Sequence, residues 1–513
     1  MKGQKMCGIL FLRDEKHRIN KSTFRKALLA QGFRGPDDNN IVIFPNFNAA
    51  LGHVRLSVVD VDGGQQPLHS ESEKFCIIFN GEIYNFATLA KTYFPEKNIT
   101  SDTHLIVELY EKFGESAVPM LDGMFAFVIF CNTTGKVFAA RDAFGIKPMF
   151  IFATGNTLIV SSETISIRKL IETEVCETSY QELRALRRTI PGSTLFRNIS
   201  ELQPGHSWSD KDGIKKWYEL GRDETVFSEE KVISILDSSI RAHLMMDDQV
   251  EFTSLISGGV DSTFLTLIAK PNSAYTVGLK DSNEFEEVSE FHNYSKVPIQ
   301  QICVSEREFW DGLEEILKIK DEPISVPNEV LIYKVCCAMP AEVKVVLTGE
   351  GADEIFFGYD QIFKTFSKKE ANYQEDFILR YRYTKNNDLE RFSEYVQELS
   401  YGKNGIEFLE DFFLHFHLPG LLRRADSAMM LARKEGRVPF VTKEIIEYMY
   451  RRPISERWPR NEPKGTLRQH LRGLGYGFVS DRTKLGFNAK PKHQSVEEHY
   501  TEFFECQKRV LTW

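Results

Sequence analysis

Two short segments carry residue types at a spacing suited to phosphate chemistry. Residues 257–262 read Ser-Gly-Gly-Val-Asp-Ser, directly after the apolar run Phe252 to Ile256 and directly before the helix-like stretch Thr263 to Lys270. A strand, a glycine turn and a helix start in that order bring backbone N–H groups and two hydroxyls to the positive end of a helix, which suits a pyrophosphate. No lysine follows the glycines, so this is not the phosphate loop ending in Gly-Lys-Ser/Thr, and it is not a dinucleotide fingerprint. The β-branched run Val343 to Leu347 leads into Thr348-Gly-Glu-Gly-Ala-Asp-Glu354, which repeats the shape: strand, glycine turn, acidic helix start. An open α/β sheet binds its ligands at strand carboxyl ends. Carboxylates beside a triphosphate suggest Mg²⁺, which takes a few of them together with phosphate oxygens and water. Asp261 and Asp353 are the candidate pair. A third candidate is Cys7, which opens the apolar stretch Cys7-Gly-Ile-Leu-Phe-Leu12. A lone cysteine beside an apolar strand is more often buried packing than a nucleophile.

The blocks that follow Cys7 change that balance. Arg34-Gly-Pro-Asp-Asp38, Gly52-His-Val-Arg-Leu-Ser57, Phe79-Asn-Gly-Glu-Ile-Tyr-Asn85, Ser101-Asp102, Leu121-Asp-Gly-Met-Phe-Ala126 and Arg141-Asp-Ala-Phe-Gly-Ile-Lys-Pro148 occur in that order. Together they resemble the glutaminase domain of the N-terminal-nucleophile amidotransferases over roughly residues 7–210. Hydrolysing a side-chain amide needs a nucleophile, a base, an oxyanion site and a clamp on the amino-acid end of glutamine. The resemblance assigns these roles. Cys7 attacks and its free α-amine relays the proton; Asn80 and the Gly81 N–H form the oxyanion hole; Arg55 pairs with the substrate carboxylate, and Glu82 and Asp102 hold its ammonium. Six residues, Met1 to Met6, precede Cys7, and an amide-linked cysteine has no free amine. Methionine removal after a start at Met6, a cleaved propeptide and added residues all remain open. Phe33 stands where the family usually has histidine.

Across both halves the chain resembles the glutamine-hydrolysing asparagine synthetases, through Ser257–Ser262, Gly349-Glu-Gly-Ala-Asp-Glu354, Gly436-Arg-Val-Pro-Phe440 and Arg482-Thr-Lys-Leu-Gly-Phe487. The implied fold is an α+β N-terminal-nucleophile glutaminase sandwich over 7–210. An α/β domain with a mostly parallel sheet of ATP-pyrophosphatase type would then span 226–513. By resemblance, Leu255 contacts adenine through its backbone, and Ser257, Gly258, Gly259, Asp261 and Ser262 cradle the pyrophosphate. Gly349 lies at the adenylate with Glu350 as candidate base, and Lys484 neutralises phosphate and transition-state charge. The implied chemistry is ATP-dependent amidation of aspartate, via an acyl-adenylate, with ammonia carried from glutamine through an internal tunnel. AMP and pyrophosphate would leave.

Composition agrees with that class. The 513 residues are about twice the length at which one core stops growing, so two domains are expected. A net charge of −9 with no basic block argues against a nucleic-acid partner. No segment reads as a signal peptide or membrane span, and the eight cysteines show no CxxC pair; a reducing cytoplasm is the expected location. The expected partners are small molecules: glutamine, ATP and aspartate. The family often forms homodimers. Pro-Gly turns at Ile190 to Phe196 and Leu202 to His206 place the domain boundary near 210–226, before an amphipathic helix over 228–245.

Departures from the family pattern gather where an acceptor would be read. Phe356-Phe357-Gly358-Tyr359 replaces FGGY, Pro439-Phe-Val-Thr442 replaces PFLD, and Asp426-Ser427 replaces an acidic–basic or asparagine–lysine pair. A related enzyme acting on another carboxylate is the alternative, as is an ammonia-dependent synthetase if Cys7 is blocked. A β-lactam-forming cyclase would not need the glutaminase residues, and a phosphoribosyl-transferring amidotransferase lacks the Ser257–Ser262 loop. An interaction protein without activity would not be expected to keep Arg55, Glu82, Asp102, Asp261, Glu350 and Lys484 together.

Overall fold

A computed structural model describes residues 5–57, 65–99, 101–244, 246, 250–384, 389–482, 490–491 and 494–511. The chain divides into two compact units. One comprises Met1–Ser179, Pro191–Glu219 and Met246–Val250; the other comprises Tyr180–Ile190, Leu220–Met245 and Glu251–Trp513.

The first unit is built on antiparallel strands. Lys5–Asp14 pairs with Ala49–Ser57 and with Thr157–Ser161, and Phe75–Ile83 pairs with Gly123–Cys131. The last two strands are apolar on both faces, and period two explains why. Cys76, Ile78, Ala126, Val128 and Phe130 face a strand layer containing Ile9, Phe11, Leu51 and Val160. Their alternates Ile77, Phe79, Phe125, Phe127 and Ile129 face Leu105, Ile106 and Leu109 of the helix Asp102–Phe113. The result is the expected sandwich of strand layers with a helical cover.

The Arg141–Pro148 block proves to be a structural knot. The Asp142 carboxylate accepts from the N–H groups of Phe125, Phe144, Ile146 and Lys147 at 2.9–3.2 Å. Buried Arg141 donates to the carbonyls of Gly145, Lys147 and Leu202 and to Glu201. Burial pushes the Asp142 carboxyl up, against the pull of those N–H groups and of Arg141.

In the second unit five parallel strands lie in the order Ile299–Val304, Ala274–Leu279, Glu251–Leu255, Val343–Leu347, Glu435–Arg437. In chain order this is 3-2-1-4-5. The direction of winding therefore reverses between Glu251–Leu255 and Val343–Leu347, a switch point at which the loops diverge and leave a crevice. Phe252 lies opposite Val345 and Ser254 opposite Leu347, so the Ser257 and Gly349 loops leave adjacent strands side by side. The amphipathic helix expected over 228–245 is observed as Glu229–Ala242, with Val232, Ile235, Leu236 and Ile240 buried. A large aromatic cluster, including Phe357, Phe363, Tyr381, Phe412 and Phe416, fills the helical region beyond the sheet. Among the described residues no helix is long and apolar enough to cross a membrane.

Candidate active sites

In the first unit Cys7 is fully buried and lies opposite Arg55 in the antiparallel register. Its nitrogen donates to Asn80 Oδ1 at 3.2 Å. Asn80 Nδ2 is buried and has no hydrogen-bond partner among the described residues, so this donor is available beside the thiol's own strand. Gly81 has φ +148, and a Cβ there would lie 2.0 Å from the Met124 carbonyl oxygen; only glycine fits. Glu82, two residues beyond Asn80 and so on the same strand face, is fully buried. Asp102 begins its helix behind the cap Ser101, whose hydroxyl accepts from the His104 N–H. Gln66 ties that helix to the strand: its amide donates to Thr103 Oγ1 at 3.2 Å and its carbonyl accepts from the Phe79 N–H. Arg55 and Asp102 are 5% and 1% exposed, a burial that ordinary surface charges would not show.

In the second unit the helix Val260–Ala269 begins at Gly259. Ser262 Oγ locks the turn: it accepts from the Ser257 N–H at 3.0 Å and lies 3.0 Å from Ser257 Oγ. The Gly259 N–H donates to Ser257 Oγ. The Gly258 N–H donates instead to Glu284 Oε2 at 2.9 Å, so a carboxylate occupies one of the anion positions. A Cβ on Gly349 would sit 3.2 Å from Asp261 Cβ, which shows how closely the two glycine loops approach.

Between them stands a residue that sequence reasoning missed. Lys464 Nζ contacts Asp261 Oδ2 and lies 2.6 Å from Asp353 Oδ1. Burial works against its charge, but the two carboxylates outweigh that and hold it above the ordinary lysine value. Lys464 has φ +59 just before the helix Gly465–Gly473. In sequence its Pro-Lys-Gly setting reads as an ordinary turn. Leu255 ends its strand and Glu350 is half-buried, both at the crevice. Lys484 lies outside the described residues.

The acidic helix start has a second layer. Glu354 is buried and accepts from Tyr359 Oη at 2.7 Å; Tyr359 Oη lies 3.4 Å from His417 Nε2, and Tyr381 Oη lies 2.6 Å from His417 Nδ1. Burial, with Asp353 next, pushes the Glu354 carboxyl up to about 8. Burial and then Arg187, Arg424 and Arg188 push His417 well below its ordinary value. Phe357 has φ +53, a conformation that suits the glycine of the family pattern. Its ring stacks on Phe363 with centroids 4.1 Å apart, beneath the Arg457 guanidinium. The added ring therefore enters the aromatic core.

Carboxylates from two helix starts now meet at a switch point in one unit, and in the other a buried cysteine bonds through its nitrogen to an amide whose own N–H₂ has no partner among the described residues. Residues 6–218 match the glutamine amidotransferase domain family, and residues 231–508 match the asparagine synthase family. The chain belongs to the asparagine synthase family. It is 29% identical to the glutamine-hydrolysing asparagine synthetase 3 of Bacillus subtilis (strain 168), with 91% of this chain and 84% of that protein covered. It is 28% identical to asparagine synthetase 1 of the same organism, with 95% and 88% covered. The asparagine synthase family comprises ATP-using, amide-forming ligases, and the relatives support glutamine-dependent amide ligation.

Proposed function

We propose that this protein amidates aspartate to asparagine with ammonia released from glutamine, through an acyl-adenylate, yielding AMP and pyrophosphate. Residues 7–210 would carry the glutaminase and 226–513 the synthetase. The observation that carries the reading is the Asp261–Lys464–Asp353 cluster, where the Ser257 and Gly349 loops come together. In the first half-reaction the Cys7 thiol attacks the glutamine amide, and Asn80 Nδ2 with the Gly81 N–H receives the oxyanion. Arg55, Glu82 and Asp102 hold the two charged ends of glutamine. The mechanism requires Cys7 at the N terminus of the working enzyme, where the nitrogen that now meets Asn80 Oδ1 would be a free amine.

In the second half-reaction the Ser257–Ser262 loop cradles the pyrophosphate, Leu255 meets adenine through its backbone, and Glu350 accepts a proton from the attacking ammonia. Lys484 supplies positive charge. Asp261 and Asp353 are hard oxygen donors suited to Mg²⁺, and Asp261 Oδ1 is buried without a hydrogen-bond partner among the described residues. These two residues would hold the ion, which would screen the triphosphate. Lys464 already places one cation between them and would keep their carboxylates apart from each other's charge.

Pyrophosphate release with Mg-ATP and ammonium, measured with and without aspartate, tests the synthetase half alone. Aspartate-dependent release with asparagine formed supports the reading; release that requires a different carboxylate refutes aspartate as the acceptor. Cys7→Ala should abolish the glutamine-driven reaction and leave the ammonium-driven one intact.

A further inference from the structure

The backbone of Gly81 faces the residues that precede Cys7. On one side Gly81 lies opposite Phe125. Phe125 turns both of its backbone groups away from it: its N–H donates to Asp142 Oδ2 at 3.2 Å, and its carbonyl accepts from the Asp142 N–H at 2.8 Å. Antiparallel partners alternate between pairs that exchange hydrogen bonds and pairs that do not, so the N–H and C=O of Gly81 point to its other side. There it is paired with Lys5. Lys5 presents its backbone in return. The Cys7 nitrogen donates to Asn80 on this same strand, and residues two apart in a strand turn their N–H groups the same way. Two antiparallel residues that face each other like this exchange N–H···O bonds, with Cα atoms about 5.5 Å apart.

The same short stretch runs through the glutamine clamp. In the register with Ala49–Ser57, Cys7 lies opposite Arg55, Met6 opposite Leu56 and Lys5 opposite Ser57. Residues 5 and 6 therefore pass between the strand that carries Arg55 and the strand that carries Asn80, Gly81 and Glu82, the two sides that would grip glutamine. An oxyanion donor has to lie about 2.7–3.1 Å from the oxygen it serves. With the Lys5 main chain against it, the Gly81 N–H is already spent on a peptide carbonyl. We propose that the residues ahead of Cys7 occupy the glutamine site as a short extra strand, so that removing them frees the α-amine and opens the substrate site in one step. This rests on the glutaminase reading above. It adds that a chain still carrying residues 5 and 6 is closed to glutamine as well as short of its proton relay.

Binding has to be read apart from chemistry, because the missing amine alone stops turnover. Cys7→Ala is therefore made in two lengths, the full chain and a chain that begins at residue 7, and each is titrated calorimetrically with glutamine. The shorter form should bind glutamine, and the full chain should bind it about 10-fold more weakly or worse. Lys5→Pro in the full-length Cys7→Ala chain deletes the N–H that faces Gly81 and should recover part of that loss. Equal affinities for the two lengths would overturn the inference and leave the glutaminase reading standing. Binding by neither length would remove the glutaminase reading and the inference with it. Weak binding that Lys5→Pro does not relieve would overturn the seating of residue 5 against Gly81. Thermal melts check that each variant is folded.

Discussion

Replacing Lys464 by methionine keeps the length of the side chain and removes only its charge. The side chains of Lys464, Asp261 and Asp353 are 5%, 18% and 21% exposed, so the ammonium is the buried member of the cluster. Deleting one partner of a buried ion pair costs about 3–5 kcal/mol, and the partial exposure of the two carboxylates favours the lower end. At about 2 °C per kcal/mol for a unit of this size, Lys464→Met should lower the Tm by roughly 6 °C. Adding Asp353→Asn removes the repulsion between the two carboxylates and should recover part of the loss. The folded-state value of Lys464 is raised, so its contribution is fully present below the unfolded lysine value and fades only in strong alkali. The difference between wild type and variant should accordingly be flat from about pH 6 to 9. Ammonium-driven pyrophosphate release should fall with the Tm change, since the aspartates that bound the ATP crevice would drift apart. A variant Tm within about 1 °C of wild type, with activity retained, would refute the view that this lysine holds the two loops together.

Three further outcomes follow from the contacts. Asp142→Asn removes one acceptor oxygen from four N–H donors and should destabilise the glutaminase unit by about 2 kcal/mol or more, read as a lower urea midpoint. Glu354 keeps its proton in the folded chain while the unfolded chain releases it at lower pH. Stability should therefore fall as pH rises from about 5 toward 8, by up to about 1.4 kcal/mol per pH unit, and Glu354→Gln should flatten that slope in denaturation at several pH values. Parallel pH curves for the two proteins would contradict it. Glu284→Gln weakens the carboxylate's hold on the Gly258 N–H and its repulsion of phosphate, so KM for ATP should drop, about tenfold if that contact is worth 1.4 kcal/mol.

The residues that act through the backbone were the most legible in the sequence. Strand, glycine turn and helix are local patterns, so the Ser257 and Gly349 loops, the strand runs Phe252 to Ile256 and Val343 to Leu347 that lead into them, and the helix after 228 could all be read from neighbouring residues. What could not be read depends on distant partners. Lys464 meets Asp261 across 203 residues, and nothing in Pro463-Lys464-Gly465 signals that meeting. The same holds for His417, whose partners Tyr359 and Tyr381 come from segments 58 and 36 residues away. Phe357 shows the converse. Its departure from a glycine pattern is plain in the sequence, yet only the structure shows that its ring joins the core.

Residues 180–190 belong to the second unit although they precede the last strands of the first. During synthesis this stretch leaves the ribosome well before its partners. Arg188 waits for Phe416, 228 residues later, which at 5–20 residues per second is roughly 10–45 s. For that interval the exiting polypeptide carries an arginine-rich stretch whose partner helix has not yet been made. A gene cut cleanly at residue 210 would leave that stretch on the other piece, so the break between the two halves of the sequence and the boundary of the compact units do not coincide.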